Sequence, residues 1–80
     1  MNRIEEYSFG KNDWAHFHDV IIDVTWDDGQ IDLNQEEMES LFWELPEDMR
    51  MDAHKWGMND TLWRDSLWVW YERNKMGKVV

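Results

Sequence analysis

The chain contains no cysteine, one proline (Pro46) and four glycines. Lacking cysteine, it can form neither a disulfide nor a thiolate zinc site. Apolar runs such as Val20-Ile21-Ile22 are far too short to cross a bilayer. Met1-Asn2-Arg3-Ile4-Glu5-Glu6 is acidic and lacks the apolar core of a secretory signal, so a cytoplasmic location is expected, that of a host cell if the chain is viral. Basic residues are also scarce. Eight Lys and Arg stand against eighteen Asp and Glu, a net charge of −10. A surface of that sign repels phosphate, which argues against direct nucleic-acid binding and against anionic lipid.

What the chain does have is aromatic bulk. Aromatics make up 15% of residues, seven of them tryptophan. Acidic sequences usually stay unfolded for want of apolar area. Each Trp buries about 150–250 Å², so seven can supply a core that 80 residues would otherwise struggle to build. Dimerisation is the other route to burial, so the chain is expected to be a monomer or a homodimer. One domain over residues 1–80 is expected, ending in a basic tail over 76–80. The charge is uneven along it. Residues 1–72 hold all eighteen acids and five bases, a balance of −13, and the last eight hold Arg73, Lys75 and Lys78 with no acid.

The patterning predicts an α+β fold. Val20, Ile22, Val24 and Trp26 alternate at period two, and Asp28-Gly29 suits a type I′ turn. Centring a β-hairpin there pairs Trp26 with Ile31 and Val24 with Leu33, and leaves Thr25 on the solvent face. Tyr7 and Phe9 either add an edge strand, making three strands, or lie in a loose arm over 1–13.

Three helices are expected to follow and cover one sheet face. Asn34 with Glu37 reads as a capping box, and Met38, Leu41, Phe42 and Leu45 form one apolar stripe. Pro46 ends that helix and can open the next as its first residue, lined by Met49, Ala53 and Trp56 and stopped by Gly57. Asn59 or Asp60 caps the last and longest, which runs roughly to Lys75 with Trp63, Leu67, Trp70, Tyr71 and Asn74 as its most apolar side. Trp26, Trp56, Trp63 and Trp70 are therefore expected in the core. Trp43 and Trp68 fall off their stripes. Trp43 shares a face with Glu36, Ser40 and Glu47, so it is either an interface anchor or is covered by another element.

Few residues suggest catalysis or metal binding. His16 and His18 would share one face of a strand near Asp13 and Asp19, but zinc wants four ligands and His54 is remote. Asp27-Asp28-Gly29 lacks the ligand spacing of a calcium loop. No nucleophile elbow, phosphate-binding glycine loop or HExxH is present. No enzyme activity, cofactor or metal is expected.

Carboxylates three or four residues apart on a helix lie about 5–6 Å apart, a spacing that can imitate a track of phosphates. Asp19, Asp23, Asp27, Asp28, Asp32, Glu36, Glu37, Glu39, Glu44, Glu47 and Asp48 would form such a surface over the hairpin and first helix. In size, acid excess and absence of cysteine the chain resembles the small acidic counter-defence proteins of bacteriophages, the anti-CRISPR and anti-restriction DNA mimics. The resemblance is one of overall profile, without a shared motif. It implies stoichiometric inhibition of a basic nucleic-acid-binding protein, with Asp19, Asp23, Asp27, Asp28, Asp32, Glu36, Glu39, Trp43 and Glu47 as the partner-binding residues. A small adaptor or virion-associated interaction domain, recognising its partner through an exposed aromatic patch, is the alternative.

Overall fold

The computed structural model describes Tyr7 and residues 9–78, and among these residues there is no strand. The order is α1 (Lys11–Val24), a 3-10 turn (Trp26–Asp28), α2 (Gln35–Glu44), α3 (Glu47–Trp56) and α4 (Thr61–Asn74). The α+β reading with its hairpin is overturned. The segment read as a first strand is the second half of α1.

A longer apolar period decides that outcome. Trp14, Phe17, Ile21 and Val24 recur at i, i+3, i+7 and i+10, one stripe of a helix, and all four are buried together with Val20. The alternation over 20–26 spans only part of that stripe, and its last member, Trp26, is 61% exposed. Local β preference in Val20–Thr25 yields to packing, as such preferences commonly do. At the start of α1, Asp13 reaches back to accept from the Gly10 amide at 3.1 Å.

Thr25 ends the helix and organises the turn after it. Its hydroxyl donates to the Ile21 carbonyl (2.7 Å) and accepts from the Ile31 amide (2.9 Å), while its own carbonyl receives the amides of Asp28 and Gln30. Thr25 is 1% exposed, so its expected place on a solvent face is also corrected. Asp28-Gly29 is a turn, with Gly29 at φ 104°, but it closes a 3-10 turn and leads into a loop. Tyr7 and Phe9 form no strand. Their stacked rings lie 5.8 Å apart and lean edge-on against Phe42. Residues 11–13 of the expected arm are instead the first turn of α1, capped by Gly10, while residues 1–6 and 8 lie outside the described residues, as do Val79 and Val80 of the tail.

The three later helices match the sequence closely. Asn34 accepts from the Glu37 amide (2.9 Å) and Glu37 from the Asn34 amide (3.0 Å), a reciprocal cap. Met38, Leu41, Phe42 and Leu45 are all buried. Pro46 is the N-cap of α3, one position earlier than expected, and Gly57 is its C-cap. Asp60 caps α4 by accepting from the Trp63 amide at 3.0 Å. Phe17, Ile21, Phe42, Met58 and Leu67 fill the centre. Trp14 bridges α1 and α2, with ring centroids 5.6 Å from Phe17 and 5.9 Å from Phe42. The Trp63 indole donates to the Met49 carbonyl at 2.8 Å and so fixes α3 on α4. Of the four tryptophans expected inside, Trp63 is buried and Trp70 half-buried. Trp56, at 58% exposure, joins Trp26 outside, because α3 buries only Ala53.

Candidate functional site

With α1 helical, the acids no longer share a hairpin face. Asp19 and Asp23, four residues apart, lie on the exposed side of α1. Asp27 and Asp28 sit on the 3-10 turn, exposed, and Asp32 lies on the loop that crosses α1. That crossing is held by His18, whose Nε2 lies 2.7 Å from an Asp32 carboxylate oxygen. Glu36 is exposed in the first turn of α2, Glu39 is half-buried and accepts from the Gln35 side-chain amide, and Glu47 is exposed at the start of α3.

The structure gathers the acids in two places. Along α2, Glu36, Glu37 and Glu44 line an open groove of about 440 Å³ whose floor is Ile31, Leu33, Leu41 and Tyr71. On the other flank of α1, Asp23 and Asp65 of α4 border a smaller hollow of about 180 Å³ that is also lined by Arg64 and Trp68. Asp19, Asp23, Asp27 and Glu36 have no side-chain ion pair or hydrogen bond among the described residues. All four are exposed to water.

The chain's own lysines occupy part of this surface. Lys75 pairs with Glu44, and Lys78 lies 3.1 Å from Asp28 and 4.0 Å from Glu72. The basic tail thus does more than complement the end of a helix, since it folds back onto carboxylates. Exposed pairs of this kind contribute about 0–1 kcal/mol each, so they can exchange for a partner's cations. Tyr71 in the same groove has its phenol pushed above the usual 10.0, mainly by burial, with Glu44 adding and Lys75 opposing.

Trp43 is half-buried, lodged between the Tyr7 ring (centroids 5.6 Å apart) and the Arg50 guanidinium (4.8 Å). It is covered in part by the N-terminal segment and α3. Trp68, at 38% exposure, is the more open of the pair. His16 and His18, two apart on a helix, point about 200° from one another, so the shared strand face is corrected too. Among the described residues no group of three or more His, Asp or Glu is placed to hold a metal ion. No described helix is long and apolar enough to cross a membrane.

The sequence reading assigned no role to Asp65 or Glu72. Their signal was the acid pattern of α4, but Asp65 joins Asp23 only once α1 is a helix. The Glu44–Lys75 pair spans 31 residues and has no local signature. No protein-family model matches the chain, and no curated protein or solved structure is significantly similar to it.

Proposed function

We propose that the chain is a non-enzymatic inhibitor that binds the basic nucleic-acid-binding groove of a host enzyme or effector complex and blocks it, acting in the cytoplasm without touching nucleic acid itself. The observation that carries this reading is two sets of exposed carboxylates on helices, Asp19 and Asp23 on α1 and Glu36, Glu37 and Glu44 on α2. Rigid, closely spaced anions steer a basic groove to the protein and present it with charges at phosphate-like separations. Within the chain, Glu44 of this set accepts the Lys75 ammonium, and Asp28 nearby accepts that of Lys78.

The test is recovery of partners from bacterial lysate on immobilised protein, eluted with duplex DNA. We expect nucleic-acid-handling proteins to be recovered, to elute with DNA, and to be lost from the triple variant Asp19→Lys, Asp23→Lys, Glu36→Lys. Recovery of partners indifferent to DNA and to the triple variant would contradict the proposal. The adaptor reading is favoured by the exposure of Trp26, Trp56 and Trp68. It would take precedence if binding survived high salt and disappeared in Trp26→Ala.

A further inference from the structure

A second surface lies between α3 and α4, distinct from the acids of α1 and α2. Two hollows, of about 320 and 550 Å³, share Met49, Leu62 and Ser66 and so form one trough. Several of its apolar members are open to solvent. Leu62 is 76% exposed and Trp56 58%, and Val69 stands further along at 36%. On α4, Leu62, Ser66 and Val69 follow at i, i+4 and i+7, so the trough runs parallel to the helix axis. The Trp63 bond to the Met49 carbonyl fixes its base. A pre-formed trough of this shape matches the way one amphipathic helix seats in a groove between two others.

The rim decides what kind of helix fits. Asp52, Asp60 and Asp65 border the trough, against Arg73 at its Val69–Asn74 end and the Lys55 ammonium 4.9 Å over the Trp56 ring, so acids outnumber bases along it. A helix carrying lysine or arginine beside its apolar stripe would bury its leucines against Met49, Leu62 and Trp56 and meet carboxylates at its edges. A second copy of this chain is a poor occupant. Its net charge is −10, and two bases of its basic end, Lys75 and Lys78, already pair with Glu44 and Asp28. Anionic membrane is opposed by the same rim. We propose that the α3–α4 trough is a docking site for a basic amphipathic helix of a partner protein. This assignment is independent of the acidic surface of α1 and α2.

The experiment uses a fluorescently labelled synthetic Leu/Lys peptide of about four helical turns, with leucines at i, i+3, i+4 and i+7. A scrambled peptide of equal composition and a Leu/Glu peptide of the same period are the controls. Binding is read by anisotropy, and the site by amide chemical-shift changes in the wild-type protein, which needs no variant to fold. We expect the striped Leu/Lys peptide to bind at least about tenfold tighter than either control, with shifts concentrated in α3 and α4. Leu62→Gln and Trp56→Gln, both at exposed positions, should each weaken it at least about tenfold, and the pair Asp19→Asn, Asp23→Asn by less than about threefold. Equal binding of the scrambled peptide, or shifts centred on α1 and α2, would overturn the assignment. So would sedimentation showing a dimer that Leu62→Gln dissociates, because the occupant would then be a second copy.

Discussion

Thr25 shows how much structure a single hydroxyl can organise. It holds the end of α1 and the loop beyond it through one donated and one accepted hydrogen bond, at 1% exposure. Thr25→Val keeps the shape and removes both bonds, leaving the Ile31 amide without its partner. The cost should be about 1–3 kcal/mol, against a much smaller loss for Thr25→Ser, which keeps the hydroxyl. In a domain of this size each kcal/mol lowers Tm by about 4–8 °C, so thermal melts separate the two variants readily. Identical melting of Thr25→Val and wild type would mean the hydroxyl is not a structural link. Tyr71 offers a second check. Burial holds its phenol neutral above the usual 10.0. Its contribution to stability is therefore complete below the unfolded value and is lost as pH rises through the folded one. Chemical denaturation between neutral pH and pH values above 10 should show a steeper alkaline loss in wild type than in Tyr71→Phe. Parallel curves would show that the phenol ionises equally in both states.

At the scale of elements, the two glycine turns differ in what they demand. Gly29 sits at φ 104°, ψ 19° with open space where a Cβ would be. Gly57 sits at φ 91°, ψ 152°, and a Cβ there would stand 2.9 Å from the Asn59 side-chain oxygen. The first lies close to the left-handed well that other residues visit at about 1–2 kcal/mol. The second approaches a region held almost only by glycine. Gly57→Ala should consequently destabilise more than Gly29→Ala, and equilibrium unfolding in urea gives the order directly. The reverse order would place the tighter turn at residue 29.

The same elements show where the sequence was legible. Asn34, Glu37, Pro46, Gly57 and Asp60 are local signals whose meaning depends on a few neighbours, and α2, α3 and α4 follow from them with boundaries nearly as expected. Alpha1 has a helical stripe, but its start is marked only by Gly10 and Asp13, and its second half is rich in β-branched residues beside a good turn dipeptide. The local hairpin pattern over 20–33 is sharper than the helical stripe of Trp14, Phe17, Ile21 and Val24, although the two cover segments of similar length. That error then moved the candidate site. Exposed acids stayed exposed, because charge predicts solvation on a helix or a strand alike. Which acids are neighbours depended on the fold, so Asp23 with Asp65, and Glu44 with Lys75, were not readable from spacing.

The described residues span 33 × 23 × 23 Å, and the chain carries a net charge of −10. Screening at physiological salt acts over about 8 Å, so neighbouring carboxylates reinforce one another while opposite faces act almost separately. The acids of α1 and α2 and the apolar trough on α3 and α4 are thus displayed on one small molecule, with Asp65 bordering both the trough and the hollow beside Asp23. The aromatic core makes this possible. Phe9, Trp14, Phe17 and Phe42 in edge-on contact hold a short chain together against its own repulsion. Like charges brought together at an interface cost several kcal/mol, whereas exposed substitutions change stability by roughly 0.5 kcal/mol or less. The decisive measurement is competition with duplex DNA for a nucleic-acid-binding protein recovered from lysate, using wild type and Asp19→Lys, Asp23→Lys, Glu36→Lys at low and high salt. We expect wild type to displace DNA stoichiometrically at low salt, with affinity falling steeply as salt rises, and the folded triple variant to bind at least about a hundredfold more weakly. A triple variant that displaces DNA as well as wild type, with no effect of salt on either, would contradict recognition through the acidic face.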